Sequence, residues 1–499
     1  MTATPTKPCR VNTLCLTGAS VHAVELELQF TGGLMQRIIL TGLTGSTVRE
    51  ARDRIRGALE QEGLPVPRRS VLANFAPADV PKEGNGFDLP LAVGLLALQD
   101  VIPTSTLADR VVLGELSLDG RLRPVRGALA LTLEASRQGI TRVMLPWCNG
   151  AEAALVRGVT VEPVRSLGEA LDVLRGASPP APPEAHRSTP TPLDLADVRG
   201  QDGARRALEI AAVGAHNLLL SGPPGTGKTM LAQRLPGLLP PLDEDAVIEV
   251  SALHGMASGN VSSIIERPPF RAPHHTVSRA GLIGGGRPLV PGEVSLAHRG
   301  VLFLDEVAEF PRSLLESLRQ PLEDQRVEVA RAGRSAVFPA QVQLLAAMNP
   351  CPCGQLGHPV RGCSCPPLFV ERYRRRLSGP LLDRFDLAVS VPPPHARSLF
   401  RVGDGEDSAT VAARVSAARD LLGDEPSPPL PNRAEAPVRK RLEQVVRREA
   451  LSARGLRRTL AVATTIAALD GRPLAQLGDV DEALSLRRGL TRFLETDAL

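Results

Sequence analysis

The chain has 499 residues, of which 43% are hydrophobic and 3% aromatic, and its formal net charge is +4. This length predicts two to four domains with packed cores, and the charge is too small to indicate a polyanion partner by itself. Apolar runs fall short of the roughly 18–20 residues that a membrane span needs, and the amino terminus shows no signal-peptide core. We therefore expect a cytoplasmic protein without membrane contact.

Residues 1–175 alternate strand-like and helix-like patterns and predict a compact two-layer α/β domain. Residues 48–61 carry charges at helical spacing, and residues 88–98 are an apolar run typical of a buried helix. Residues 71–76 predict a strand, and Asp119-Gly120 predicts a hairpin turn.

A proline-rich segment follows at 176–193 and predicts a semi-rigid spacer. Residues 194–396 carry the motifs of a nucleotide-binding core, described below. Residues 397–499 predict a helical domain, with the best helical periodicity at 410–422 and 449–469.

Residues 222–229 match the phosphate-loop pattern G-x-x-x-x-G-K-[ST] at every fixed position. A short apolar run precedes them and a helix-like run follows, which is the strand–loop–helix context that the motif needs. The lysine contacts the β- and γ-phosphates, and the threonine hydroxyl ligates Mg²⁺. The predicted ATP-binding residues are Gly222, Pro223, Pro224, Gly225, Thr226, Gly227, Lys228 and Thr229.

Two further strand-like runs end in polar side chains. Residues 301–304 lead into Asp305, placed to hold Mg²⁺, and Glu306, placed to polarise the attacking water. Residues 342–348 lead into Asn349, whose amide is placed to orient water or to sense the γ-phosphate.

Two arginine positions are candidates for the transition-state charge. Arg384, in the run Gly379-Pro-Leu-Leu-Asp-Arg-Phe-Asp386, is typical of an arginine finger that serves a neighbouring subunit; the alternative is a surface salt bridge. The helical domain is expected to lie over the nucleotide and to carry a second arginine to the phosphates. Arg454 is favoured there, with Arg457 and Arg458 as rivals or as ordinary solvated charges.

Four of the seven cysteines lie within fifteen residues, as Cys351-Pro-Cys353 and Cys363-Ser-Cys365. Four thiols suit a tetrahedral zinc ion, with His358 as a substitute ligand. Reduced structural thiols are the alternative, because a disulfide fits a cytoplasmic protein poorly.

Alternating residues on both sides of Arg331-Ala-Gly-Arg334 predict a hairpin over 326–338 with two arginines near its tip. These arginines are candidate contacts for DNA phosphates, or the hairpin is exposed and charged without a ligand.

The chain resembles the ComM/YifB group of magnesium-chelatase-like AAA+ ATPases over nearly its whole length. The carrying residues are 42–43, 48–55, 76–84, 87–92, 114–120, 271–276, 284–286, 291–298, 301–306, 349–354 and 378–386.

The resemblance implies a parallel-sheet AAA+ core with a helix-2 insert before Val301 and a helical carboxyl-terminal lid. It also implies an amino-terminal domain similar to the proteolytic domain of Lon. Gly86 or a neighbour stands where the Lon serine would be, and no lysine follows Lys82 in this domain, so we expect a non-proteolytic scaffold or contact surface.

The resemblance further implies an ATP-promoted homohexamer that hydrolyses ATP with Mg²⁺ and acts on single-stranded or branched DNA, as a helicase promoting branch migration. The hairpin would point into the ring channel. Two alternatives stay open: the motor subunit of a magnesium chelatase, and a non-motor ATP-binding regulatory scaffold. Intact phosphate-loop and Asp305-Glu306 motifs argue against the second.

Overall fold

The structure is a computed structural model that describes residues 8–18, 20–31, 37–42, 45–78, 80, 82, 86–188, 192–258, 263–286, 288–331, 334–394, 405–423, 436–449 and 452–494. Residues 83–85, in the stretch compared with the Lon serine motif, lie outside these ranges. Within them, no helix combines the length and apolar character needed to cross a lipid bilayer.

The amino-terminal domain is built on a seven-stranded mixed sheet with the order β3-β4-β2-β1-β5-β8-β9. Its strands are β1 (Cys9–Thr17), β2 (Ser20–Thr31), β3 (Ile38–Thr41), β4 (Ser70–Ala76), β5 (Arg110–Val112), β8 (Arg142–Pro146) and β9 (Thr160–Val164); β6 (Glu115–Leu116) and β7 (Leu122–Arg123) form the expected hairpin. Its helices are α1 (Gly45–Gln61), α2 (Asp88–Leu98), α3 (Ala128–Arg137), α4 (Gly150–Ala153) and α5 (Leu167–Leu174).

Helices cover both faces of this sheet, so the expectation of two layers was wrong. On β5, Val112 joins the core formed with α1, α2 and α5, whereas Val111 joins a second core formed with α3. Strands buried on both faces need a layer on each side. The alternation along β1, β5 and β8 fixes which residues face which layer.

The nucleotide-binding core is a five-stranded parallel sheet with the order β13-β16-β19-β11-β20. Its strands are β11 (Leu218–Ser221), β13 (Phe270–Arg271), β16 (Val301–Leu304), β19 (Gln343–Met348) and β20 (Leu387–Ser390). Two-residue strands are β10 (Arg187–Ser188), β12 (Ile264–Ile265), β14 (Gly284–Gly285) and β15 (Val290–Pro291), and the expected hairpin is β17 (Arg326–Arg331) with β18 (Arg334–Pro339).

The helices of this core are α6 (Asp202–Gly214), α7 (Lys228–Ala232), α8 (Glu244–Ser258), α9 (Arg279–Ile283), α10 (Glu293–Leu296), α11 (Arg312–Glu316), α12 (Arg319–Asp324), α13 (Pro367–Arg374) and α14 (Gly379–Leu382). The short apolar strands are completely buried, as parallel strands covered on both faces must be.

Four helices follow: α15 (Ser408–Leu422), α16 (Ala436–Glu449), α17 (Ala453–Leu469) and α18 (Leu477–Leu494). They pack in one hydrophobic core with α6 and with Leu218 and Leu220 of β11. The helix expected over 449–469 begins four residues later, because the Ser452 hydroxyl accepts a hydrogen bond from the Gly455 N–H and caps α17 at Ala453.

Most described residues of the proline-rich segment are exposed, but the segment contacts both domains at particular points. The indole N–H of Trp147 donates to the Ala181 carbonyl over 2.7 Å. Further along, β10 pairs in parallel with β12 of the core. The segment therefore has contacts with both domains.

The amino-terminal domain also contacts the segment before β16 directly. Leu129 and Ala130 of α3 pack against Ala252 and Met256 of α8. The Arg126 guanidinium donates to the Met256 carbonyl over 2.6 Å. That carbonyl belongs to the last turn of α8, where carbonyls have no partner within the helix. Arg126 therefore caps α8 from the other domain.

Replacing Arg126 with alanine should lower the unfolding free energy by about 1–3 kcal/mol, because a half-buried charged hydrogen bond between the domains is lost. Thermal unfolding of Arg126→Ala against the wild type would measure this. Arg121→Ala is the matched control, since that side chain is 81% exposed. Equal melting of all three proteins would contradict the capping role.

Candidate nucleotide site

Three neighbouring strands bring the phosphate-binding candidates together. Strand β19 lies between β11 and β16, with Ser221 opposite Met348 and Leu304 opposite Ala346. Each candidate segment follows the carboxyl end of one of these strands. The loop after β11, the carboxylates after β16 and the amide after β19 therefore meet at one edge of the sheet, where α/β folds bind ligands.

The phosphate loop has the backbone that its glycines were expected to provide. Gly225 and Gly227 have φ angles of +78° and +92°, which other residues rarely adopt. A Cβ atom at Gly222 would lie 2.1 Å from the Val391 carbonyl oxygen. Inside the loop, the Thr226 hydroxyl donates to the Pro223 carbonyl over 3.0 Å.

Gln201 supports this loop from outside. Its buried side-chain amide donates to the Thr226 carbonyl over 3.2 Å and to the Pro392 carbonyl over 2.8 Å. Sequence reasoning missed Gln201, because nothing local distinguishes it from any polar residue before a helix.

Lys228 lies in the curl of the loop. Its ammonium donates to the carbonyls of Gly222 and Pro223 over 2.7 and 2.8 Å, and to the Asn349 side-chain oxygen over 3.2 Å. Burial lowers the pKa of Lys228, and the carboxylates of Asp305 and Glu306 oppose that shift. Lys228 and Asn349 are therefore in contact on one surface of the site, which we call the phosphate-facing surface because the phosphates are expected there.

The two proposed magnesium ligands touch. The Thr229 hydroxyl donates to an Asp305 carboxylate oxygen over 2.6 Å. Adjacent ligands of an octahedral Mg²⁺ ion lie about 3.0 Å apart at the usual metal–oxygen distance of roughly 2.1 Å. Small adjustments would therefore let both oxygens hold the ion, and the donor set fits magnesium.

Glu306 is held in an unusual conformation beside this pair. Its φ angle is +48°, in the left-handed region, and its N–H donates to the other Asp305 oxygen over 2.9 Å. Such conformations persist only where the surroundings enforce them. The Asp305 carboxylate is thus the partner of both Thr229 and Glu306.

Tyr373 of α13, the only tyrosine in the chain, is a second residue that sequence reasoning missed. Burial raises the pKa of its phenol to about 12, and the phenol oxygen accepts a hydrogen bond from the Asn349 backbone. This contact fixes the residue that carries the amide sensor.

Arg384 lies at the other edge of the sheet. Its carbonyl accepts a hydrogen bond from the Asn217 side chain over 2.8 Å, and Asn217 directly precedes β11. The buried Arg384 guanidinium pairs with Glu323 of α12. The salt bridge that was the alternative to a finger is therefore present, but the Arg384 side chain is only 6% exposed and is not a surface arginine.

Arg454 pairs with the same Glu323 carboxylate as Arg384, and also faces Asp383 at 3.8 Å. Arg458 bonds to Asp386 over 3.0 Å at the same edge. Strands β11 and β20 are four residues long, about 13 Å at roughly 3.3 Å per residue, and they separate this cluster from the phosphate loop. The expectation that Arg454 lies over its own subunit's phosphate loop is therefore corrected: it stands beside Arg384.

Glu323 and Asn217 are further residues that the sequence did not reveal. Glu323 reads as one of several charges on a short helix, and its two arginine partners lie far along the chain. Asn217 joins the amino ends of three strands through hydrogen bonds to Leu344, Arg384 and Asp386. Only the folded topology brings these groups together.

The four clustered thiols form a compact group. All four sulfur atoms lie within 4.8 Å of one another, and the three separations among Cys351, Cys353 and Cys363 are 3.4–3.6 Å. Sulfurs around a tetrahedral zinc ion lie about 3.8 Å apart when the Zn–S distance is roughly 2.3 Å. The donor set, which includes Cys365, therefore fits zinc.

Backbone N–H groups surround these sulfurs. Cys353 donates to the Cys365 sulfur over 3.4 Å, and Leu356 donates to the Cys351 sulfur over 3.3 Å. Hydrogen bonds from the backbone of Gln355 and Ser364 lower the pKa of Cys353 to about 6, which favours a thiolate there, whereas the pKa values of the other three thiols are raised. His358 does not belong to this group of possible ligand atoms; its Nδ1 accepts hydrogen bonds from the Val360 and Arg361 N–H groups at 3.1 and 3.0 Å.

The two remaining sequence expectations concern other regions. Arg331 and Arg334 face each other as the last pair of the β17–β18 ladder, and their side chains lie outside the described atoms. In the amino-terminal domain, the buried Lys82 ammonium donates to the carbonyls of Pro77 and Val80. Gly86 has no side chain that could act as a nucleophile.

The fold and this site define a phosphate-loop protein of the magnesium-chelatase type. Three family descriptions match: "Magnesium chelatase, subunit ChlI" at residues 194–399, "Subunit ChlI of Mg-chelatase" at 26–149, and "Magnesium chelatase, subunit ChlI C-terminal" at 430–487. The second match lies within the amino-terminal domain, so the presence of this domain does not distinguish the chain from magnesium chelatase subunits.

Relatives that are similar over nearly their full length show which family of this type the chain belongs to. The chain is 39% identical to YifB of Escherichia coli, with 96% of each chain covered. It is 38% identical to competence protein ComM of Haemophilus influenzae, with 96% of this chain and 97% of the relative covered. A magnesium-chelatase 67 kDa subunit of Heliobacterium mobile is 29% identical over only 33% of this chain and 29% of its own. The chain belongs to the ComM/YifB family.

Two substitutions should separate binding from hydrolysis. Lys228→Ala should weaken ATP binding, because it removes the ammonium from the phosphate-facing surface. Glu306→Gln should bind ATP but turn it over at least roughly 10²-fold more slowly, the scale of a lost general base. Binding of a fluorescent ATP analogue and phosphate release would measure both. Wild-type turnover by Glu306→Gln would remove its assigned role.

Proposed function

We propose that this chain is an ATP-driven motor that acts on DNA and hydrolyses ATP between neighbouring copies of itself. The observation that carries the proposal is the separation of the phosphate loop from Arg384 by the length of the sheet. A finger at the opposite edge cannot serve its own subunit's phosphates, so the site needs a second copy. A closed ring, with a hexamer implied by the family resemblance, is the arrangement in which every copy gives and receives a finger.

In this proposal each group of one subunit has a separate task. Lys228 and the loop N–H groups bind the β- and γ-phosphates, Thr229 and Asp305 hold Mg²⁺, and Glu306 orients water and accepts its proton. Asn349 positions that water or reads the γ-phosphate. When bound, the metal neutralises phosphate charge.

The neighbouring subunit supplies Arg384, and Arg454 with it, because Glu323 holds both guanidinium groups together. ATP bridges two copies, which supports an ATP-promoted assembly. The clustered cysteines, Cys351, Cys353, Cys363 and Cys365, are proposed to hold one structural zinc ion.

DNA is proposed as the substrate on two grounds. The hairpin carries Arg331 and Arg334 as its last ladder pair, and a relative is named competence protein ComM. Single-stranded or branched DNA in the ring channel would meet these arginines, and a helicase that promotes branch migration is the activity proposed. A cytoplasmic location follows from that substrate.

The first experiment is ATP hydrolysis by the purified chain with and without single-stranded and branched DNA. Stimulation by DNA supports the motor. The family matches to magnesium chelatase subunits favour one other function, a chelatase motor, which would respond to a porphyrin and its partner subunits and not to DNA. Tight ATP binding without any hydrolysis would indicate a scaffold.

Mixing two inactive variants tests the shared site. Lys228→Ala and Arg384→Ala should each lose most hydrolysis, since a finger is worth about 10³–10⁵ in rate. Together they should form some interfaces with both groups intact and recover measurable turnover. Arg375→Ala is the control, because that side chain is 77% exposed and pairs only within its own helix in the described contacts. A fully active Arg384→Ala protein would exclude the shared site.

The double replacement of Arg331 and Arg334 with alanine should weaken binding to single-stranded DNA at low salt. The slope of log affinity against log salt should become shallower by about 1.4, since each lost phosphate contact contributes about 0.7. Arg326→Ala, at the base of the same hairpin and 57% exposed, is the matched control. An unchanged slope would mean that the hairpin tip does not contact DNA.

A further inference from the structure

The cysteine cluster lies directly against the phosphate loop. A Cβ atom at Gly354, the residue after Cys353, would lie 2.5 Å from the Pro224 side chain and 3.8 Å from that of Asn349. Pro224 is inside the phosphate loop, three residues from Gly227 and four from Lys228. The cysteine-bearing loop and the phosphate loop are therefore in van der Waals contact, with no room for even a methyl group.

Both ends of the cysteine-bearing loop are connected to Asn349. Its first end follows Asn349, whose side chain contacts Lys228. Its second end enters α13, where Tyr373 accepts the Asn349 backbone hydrogen bond and Arg374 donates to the Pro350 carbonyl over 3.4 Å. A change in the loop would thus reach the nucleotide site by two routes.

Apart from the sulfurs, the described contacts of this loop are local turns and a few side-chain contacts. Residues 350–366 contain no helix or strand, and their described backbone hydrogen bonds are isolated turns such as Gly354 to Cys351 and His358 to Gln355. Cys351 is buried, whereas the other three thiols are only partly covered. A metal that joins all four sulfurs would supply the ordering energy that the loop's own contacts lack.

We propose that the four-thiol site is a metal-held brace for the phosphate loop, so that metal occupancy sets nucleotide affinity. This inference rests on the proposed ATP site. The brace acts through the contact of Gly354 with Pro224, which keeps the loop open around the phosphates. Its ligand is a thiophilic divalent cation, zinc, and its role is positioning.

The test combines metal content with nucleotide affinity. Zinc should be close to one per chain in the wild type, measured by mass spectrometry. The double variant Cys363→Ser and Cys365→Ser should lose the zinc and bind a fluorescent ATP analogue at least roughly tenfold more weakly, because displacing a binding group by about 1 Å is costly. Cys148→Ser, in the amino-terminal domain, is the control and should match the wild type.

Two glycine variants test the contact with Pro224 separately from metal binding. Gly354 and Gly357 both have φ of +76°, but a Cβ atom at Gly357 meets nothing within 4 Å. Alanine at either position carries the same backbone strain, and only Gly354→Ala presses on Pro224. We expect Gly354→Ala to keep its zinc and lose affinity roughly tenfold, and Gly357→Ala to keep both. This comparison also stands if the cysteine variant fails to fold.

Three results would overturn the proposal: wild-type protein without zinc, a zinc-free variant that binds ATP normally, or equal affinity of the two glycine variants. None of these three results would exclude the ATP site itself. A wild-type protein that holds zinc and does not bind ATP would instead reject the proposed function, and the brace with it.

Discussion

The five strands of the central sheet all run parallel, and this arrangement determines at which edge of the sheet each candidate residue lies. Parallel strands have all their carboxyl ends at one edge and all their amino ends at the other. The phosphate loop, Asp305, Glu306 and Asn349 lie at the first edge, and Arg384 belongs to the second. The proposal that hydrolysis needs a second copy rests on this separation of the two groups of residues within one chain.

Each group is stabilised by contacts that do not take part in phosphate binding. Gln201 donates a hydrogen bond to the phosphate loop, and Tyr373 contacts the backbone of Asn349. Gly354 of the cysteine-bearing loop packs against Pro224. At the other edge Glu323 holds Arg384 and Arg454 as a pair. The shared carboxylate offsets their mutual repulsion, and it offers both arginines a partner that a neighbour's triphosphate would have to replace.

Local patterns predicted the parts of this site that are local. The phosphate loop, the strands ending at Leu304 and Met348, the β17–β18 hairpin and the helix α2 all follow from short runs of residues, and the structure confirms these elements. Residues such as Gln201 and Glu323 were not predictable, because their partners lie 25 to 191 positions away. The expectations of a two-layer amino-terminal domain and of Arg454 over the phosphate loop were wrong for the same reason: both depend on which faces meet in three dimensions.

Hydrolysis that needs two copies must depend on protein concentration, so dilution of the protein is the decisive experiment. ATP turnover per chain should be measured over a wide range of protein concentration, with the assembly state followed in parallel by sedimentation in ATP. We expect turnover per chain to fall as the assemblies dissociate and to be lost in the monomer. Constant turnover per chain in a solution that sediments as monomer would contradict it.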